Sequence, residues 1–247
     1  MKNIKSMNMK TIKILCIAAT LCLFAACSNN TDTYRLSGKL ENCDECTLYL
    51  MEMQSQGVKA LDTIKANKNG SFSVDERLDY ESIFLLQGPS DYIMICPKKG
   101  EKINIAADYA SLSSTYNVKG SEESSKLKLL SDKQIMTRVA LKAMYDQLNM
   151  ADADSYDTVR QEIAAKYKML RDNQRSFLIN YINTNKGSLT TLVALYRNME
   201  NSPLIDFKTD LDVYKNVLDG LKKTYPDNVN TKNLEQFINQ AEQLQNK

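Results

Sequence analysis

The chain has 247 residues, 43% of them apolar, with 32 Lys and Arg against 30 Asp and Glu. That length can bury a proper core in one domain or two, and no basic stripe of the kind that follows phosphate backbones runs along it, so nucleic acid is not an expected partner. Histidine is absent, which removes the commonest general base, every Ser-His or Cys-His nucleophile and most zinc sites.

Further exclusions follow from the same composition. Eight glycines form no phosphate-binding loop of either standard spacing. The carboxylates are scattered over predicted helix faces, and no pair stands out against apolar surroundings. The sequence therefore assigns no catalytic residue, no metal ligand and no cofactor. The cysteines are the chemistry that remains.

Residues 1–13 hold Lys2, Lys5, Lys10 and Lys13 and no acid, and the apolar run "ILCIAATLCLFAAC" follows. A basic stretch, a short apolar core and a small-residue exit make a secretory signal, expected over residues 1–26. The run from Ile14 to Ala26 is too short to span a bilayer, which takes about 20 apolar residues. Its ending, Ala25-Ala26-Cys27, resembles the lipobox of bacterial lipoproteins, with Phe24 in place of the usual leucine. The resemblance implies that Cys27 is lipidated and becomes the first mature residue. An ordinary signal peptide with a cysteine at its exit is the alternative. Several acyl chains on one cysteine give stable anchoring where one chain gives only reversible binding. Residues 27–33 then form a short anchored tether, and the folded part is expected close to the membrane. Ser28 resembles an outer-membrane sorting choice, so the expected location is the outer membrane, facing the periplasm. Loss of the four signal lysines leaves 28 basic residues against 30 acidic, a net charge of −2.

From Tyr34 to Gly120 the apolar period is near two. "YRLSGKL", "TLYLMEM", "ALDTIKA", "GSFSVDE", "SIFLLQG", "YIMICP", "KINIAAD" and "TYNVKG" alternate and are separated by turn signals such as Asn69-Gly70, Gly88-Pro89 and Lys99-Gly100. Short alternating runs with such punctuation predict antiparallel strands joined by hairpins. Seven or eight of them predict a small sandwich or partly closed barrel over residues 34–120.

After Gly120 the period becomes helical. Ser121 is placed to cap a helix, with Glu122 and Glu123 in its first turn and Leu127, Leu130, Val139 and Ala143 recurring behind it. A second helix is expected from about Asp154 to Asn183, with Tyr156, Ile163, Leu170 and Phe177 at sevenfold spacing. A third follows Gly187-Ser188 and carries Leu189, Leu192, Val193, Tyr196 and Met199 on one face. A fourth begins at Thr209, and a last one carries Leu234, Phe237, Ile238 and Ala241. These stripes are amphipathic and predict core packing, with a groove lined by their aromatic and Met positions as the alternative. The expected fold class is α+β: a β-domain over 34–120, then an α-helical domain over 121–247.

The order "SGKLENCDECTLYL", "LDTIKANKNGSFSV", "IMICPKKGEKINIAAD", "YNVKGSEESSKL" resembles the N-terminal β-domain of Bacteroidetes-type envelope lipoproteins. The Gly120-Ser121 join, "NKGSLTTLVALYRNME" and "LDGLKKTYPDN" resemble the helical segment that follows it in that family. Many members continue into a thioredoxin-like domain with its own CxxC and are thiol-disulfide oxidoreductases. Such a domain would start about where this sequence stops, so no catalytic residue is carried over. The resemblance implies an envelope lipoprotein that binds or scaffolds, accessory to a thiol-disulfide system, with a thioredoxin-like protein as one kind of partner.

Cys43 and Cys46, in "NCDEC", are the remaining question. A thioredoxin-type CxxC opens a helix, whose dipole stabilises thiolate. Here strands flank the pair, and Asp44 and Glu45 between the cysteines disfavour thiolate. A hairpin turn is predicted instead. Residues i and i+3 of a β-turn lie within about 7 Å, overlapping the disulfide range, and an oxidising envelope closes such neighbours. A structural turn disulfide is therefore the first expectation. Electron exchange through Cys43 and Cys46 is the alternative, with free thiols or a metal clip behind it. Cys96, at the end of "YIMIC", is the odd thiol, expected buried and unpaired, though pairing with Cys43 or Cys46 across the sheet stays open.

Overall fold

A computed structural model describes residues 32–54 and 57–245. The signal segment, Cys27 and the tether up to residue 31 lie outside them. Strand formation follows the period-two alternation closely. β1 (Thr33–Glu41), β2 (Thr47–Gln54), β3 (Gly57–Lys65) and β4 (Ser71–Arg77) are followed by β5 (Phe84–Gln87), β6 (Tyr92–Ile95), β7 (Lys102–Asp108) and β8 (Asn117–Lys119). They make two four-stranded sheets, in the orders β4-β1-β7-β8 and β3-β2-β5-β6. The two sheets bury one face each in a common core, in which Leu36, Leu40 and Ile105 of the first meet Leu48, Leu86 and Ile93 of the second. Tyr34 and Phe84 pack across it with ring centroids 6.2 Å apart. The β-region is thus a sandwich, with no closed barrel.

Two details differ from the sequence expectation. The sheets are not wholly antiparallel, since β1 and β7 pair in parallel from Arg35↔Lys102 to Glu41↔Asp108. Nor are the strands joined mainly by hairpins. β2 pairs with β3 and β5 with β6, but the chain changes sheet between β1 and β2 and again at the Asn69-Gly70 turn between β3 and β4. Turn residues mark where a strand stops. They do not say which neighbour the next strand will choose, because that choice is made by pairing over long sequence separations.

The helical part comprises a short α1 (Leu112–Thr115), inserted between β7 and β8, then α2 (Glu122–Asn149), α3 (Tyr156–Thr184) and α4 (Thr190–Leu195). A two-residue ladder, β9 (Asn198–Met199) with β10 (Ser202–Pro203), precedes α5 (Leu211–Thr224) and α6 (Val229–Gln245). Gly120 makes the join from β8 to α2. Its φ is +84°, and a Cβ there would lie 2.0 Å from the Lys102 carbonyl oxygen, so only glycine fits. Ser121 then caps α2, its hydroxyl accepting from the Ser124 N–H at 3.3 Å. Glu123, buried in the first turn, binds Lys126 at 2.8 Å and accepts from Ser188, which ties α2 to the entry of α4.

Helix faces correct the sequence reading in two places. Leu127, Leu130 and Leu141 of α2 are buried, but Val139 and Ala143 are exposed. The outer half of α2 pairs with the outer half of α3, where Lys166 reaches Gln147, and much of its apolar surface meets no core. The third predicted helix ends at Leu195 rather than continuing to Met199, which is buried in β9.

The central relationship is that the second sheet has two buried faces. Phe84, Leu86, Ile93 and Ile95 point into the sandwich, whereas Ile83, Leu85, Met94 and Cys96 point the other way. This outer face packs against Leu127, Leu178, Leu192 and Leu234 of the helices. The result is three layers, sheet, sheet and helices, with the second sheet shared. The described residues belong to one compact unit that begins at Asp32.

Candidate functional site

The structure joins Cys43 and Cys46 in a disulfide, with Cα atoms 5.4 Å apart. The turn that carries them runs between the two sheets rather than closing a hairpin. Asn42 and Glu45 adopt left-handed φ of 52° and 54°, which turns the chain sharply enough to bring the sulfurs together. Both cysteines lean on the edge of the sandwich core, while Asp44 and Glu45 are exposed. No helix begins at the pair. Cys96 is unpaired and only 2% exposed. Its N–H donates to Ser124 Oγ at 3.1 Å, and burial, with Glu123 nearby, pushes its thiol pKa up. Cys27 lies outside the described residues. Among those described, no group of three or more Cys, Asp or Glu could hold a metal ion, and no helix is long and apolar enough to cross a membrane.

A groove, the alternative that the amphipathic stripes left open, lies between the outer face of the second sheet and the helices. There a cleft of about 870 Å³ opens, within the range of pockets that enclose small molecules. Its sheet wall carries Met53, Gln54, Ile83, Tyr92 and Met94. The opposite wall is built by Gln134, Thr137, Arg138 and Leu141 of α2, and by Asn230, Asn233, Leu234 and Phe237 of α6. Between them the segment from Leu192 to Glu200 closes one side. The period of each element explains the lining. β6 sends the alternate residues Tyr92 and Met94 to this face, the end of β2 adds Met53 and Gln54, and Gln134, Arg138 and Leu141 recur at helical spacing on α2.

The segment after α4 supplies two of the charges in the lining, Arg197 and Glu200, and α2 supplies Arg138. The segment forms a tight ladder in which Asn198 pairs with Pro203 and Met199 with Ser202, and Glu200 at its tip has a φ of 53°. Arg171 donates to the Pro203 carbonyl at 2.6 Å and Arg175 to that of Leu204 at 3.1 Å, which fixes the ladder against α3. Glu200, the one carboxylate among the described residues that line the cleft, accepts hydrogen bonds from the Tyr145 and Tyr167 hydroxyls, the latter at 3.0 Å.

Arg197 is differently placed. Its Nη1 donates to the amide oxygen of Gln134, and its Nη2 is buried with no hydrogen-bond partner. Burial holds its pKa below the usual guanidinium value, and the neighbouring Arg138 acts in the same direction, against the opposing pull of Tyr92. Among the described residues neither Arg138 nor Arg197 forms an ion pair. A cationic group left in a partly desolvated wall with only a neutral acceptor is costly unless something compensates it.

The family model for a domain of unknown function, DUF4369, matches residues 34–127. That segment is the sandwich together with the first turns of α2. Its description assigns no activity, and no curated protein matches the chain. The match contains the sheet wall of the cleft, whereas Arg138, Arg197 and Glu200 lie outside it.

Proposed function

We propose that this protein is a binding module of the cell envelope, anchored to the membrane through lipidated Cys27 and facing the periplasm. The observation that carries the binding reading is the cleft between the shared sheet and the helices, which combines an apolar floor with a few inward-facing polar groups. The anchoring reading rests on the basic, apolar and Ala25-Ala26-Cys27 sequence of the N-terminus. The order of strand motifs supports a role beside a thiol-disulfide system, with a thioredoxin-like envelope protein as a partner of the module.

Two measurements test this. Cells fed a tagged fatty acid should label the wild-type chain and not a Cys27→Ser variant; equal labelling removes the anchor. Native mass spectrometry of protein taken from envelopes should show an added small-molecule mass that Asn233→Trp, which fills the cleft from α6, removes. A wild-type protein without added mass, or one whose added mass survives the tryptophan, counts against binding in the cleft.

A second reading, electron exchange through Cys43 and Cys46, draws support from the disulfide itself, which sits on a turn half open to solvent. It requires that Cys43→Ser/Cys46→Ser fold normally and lose function. A folded, fully functional double variant removes it.

A further inference from the structure

Among the described residues, Arg197 and Arg138 bring two positive charges to the cleft lining against the single negative charge of Glu200. Glu200, the one acid among the described lining residues, keeps its charge but has both oxygens engaged by tyrosine hydroxyls. Gln134 offers Arg197 a neutral amide oxygen. That bond satisfies one N–H but leaves the positive charge without a counterpart, and Nη2 without any acceptor from the protein. A carboxylate in place of the amide oxygen would add an opposite charge to the hydrogen bond that the guanidinium already makes, and guanidinium presents donors in a fork that matches a carboxylate.

The rest of the lining says what the anion must be attached to. Met94, Leu141, Leu192 and Leu234, all buried, give the cleft an apolar floor. Tyr92, Tyr196 and Phe237, all partly exposed, add flat apolar surface at its margins. An inorganic ion would leave this surface in water, whereas a wholly apolar ligand would leave the guanidinium unmatched.

We infer that the cleft binds an amphipathic organic carboxylate, its apolar body on the Met94–Leu141–Leu192 floor and its carboxylate on Arg197, displacing the Gln134 amide. Arg138, exposed at the rim, draws the anion in and contributes less to holding it. This inference rests on the reading of the cleft as a binding site and names the chemistry that the site selects.

The test uses the full chain and three probes of one shape: 4-phenylbutyrate, 4-phenylbutanol and 4-phenylbutylammonium, titrated calorimetrically. The carboxylate should bind at least about tenfold more tightly than the alcohol, the step expected when a charged acceptor replaces a neutral one on a charged donor. The ammonium should bind weakest. Arg197→Met should abolish the preference for carboxylate. Because that variant alters a packed wall, Gln134→Glu serves as the independent check. It supplies an internal carboxylate to Arg197, so thermal stability should hold or rise while the preference disappears.

Equal binding of carboxylate and alcohol by the wild-type protein overturns the inference and leaves the cleft as an apolar binding site. A folded Gln134→Glu variant that still prefers the carboxylate also overturns it. Failure of all three probes to bind removes the cleft reading as well.

Discussion

Arg175 on α3 grips Asp210, the residue before α5, through two parallel hydrogen bonds of 2.6 and 2.9 Å. Asp210 is buried, and its second oxygen also accepts the Asp206 N–H at 2.9 Å. One carboxylate therefore fixes the whole connection from the ladder to α5 against α3. Burial alone would raise the Asp210 pKa, but the hydrogen bonds from Arg175 and Asp206 outweigh it and hold the carboxyl below its usual value. Arg175→Ala should lower stability by about 2 kcal/mol, between the values of exposed and fully buried pairs. A carboxyl whose folded pKa is lowered contributes stability that is present above its unfolded value and is lost as pH falls through the folded value. Denaturant melts of the wild type should weaken below about pH 4, and those of Arg175→Ala should show a smaller acid loss. An unchanged acid limb would place the linkage elsewhere.

Glu76 on β4 and Asp62 on β3 present the opposite sign. Burial, together with a hydrogen bond and the charge of Asp62, pushes the Glu76 pKa up to about 7. Its folded value exceeds its unfolded one, so the folded state holds the proton more tightly. Stability from this group is complete below about pH 4.5 and declines as pH rises through about 7. Glu76→Gln, which keeps one hydrogen bond donor and removes the charge, should raise the melting temperature at pH 8 and leave it nearly unchanged at pH 5. A shift of the same size at both values would point to packing rather than titration.

Leu85 and Leu86 are neighbours in β5 yet belong to different cores, Leu85 to the helical one and Leu86 to the sandwich. A strand shared in this way couples the two, so residues 32–245 should unfold in one transition by circular dichroism and by tyrosine fluorescence. Leu85→Ala and Leu86→Ala should each cost about 2–5 kcal/mol and move that single transition. Two separated transitions, only one of them moved by each variant, would mean that the layers fold independently.

Much of the fold is legible in the sequence because alternation and helical spacing are local. "KINIAAD" marks β7 end to end, and Ser121 with its two glutamates marks the start of α2. What is decided at long range is not legible. Nothing in "YRLSGKL" says that β1 will take β7 as a parallel neighbour, and the stripe through Val139 has the spacing of core while the helix outruns the body that would cover it. Which residues line the cleft was not legible for the same reason. Arg197 sits in "TLVALYRNME" beside apolar residues, the one local hint that its side chain is turned inward. Its lack of an acidic partner depends on Gln134, 63 residues away.

The final prediction concerns the cysteines. The Cys43–Cys46 bridge spans a sequence separation of 3, and closing so short a loop constrains the unfolded chain by about 2 kcal/mol on the chain-entropy account. Asp44 and Glu45 between the cysteines oppose thiolate formation, and no helix N-terminus favours it. Cys43→Ser/Cys46→Ser should therefore fold, lose about 2 kcal/mol and leave the binding proposed for the cleft unchanged. Cys96 provides the internal control. Buried, hydrogen-bonded through its own backbone to Ser124 and with its thiol pKa raised, it should resist alkylation in the native state and react only in denaturant. Native alkylation of Cys43 or Cys46 in protein drawn from cells, with Cys96 still protected, would show that the turn is reduced in place. The bridge would then be an exchanging pair rather than a staple.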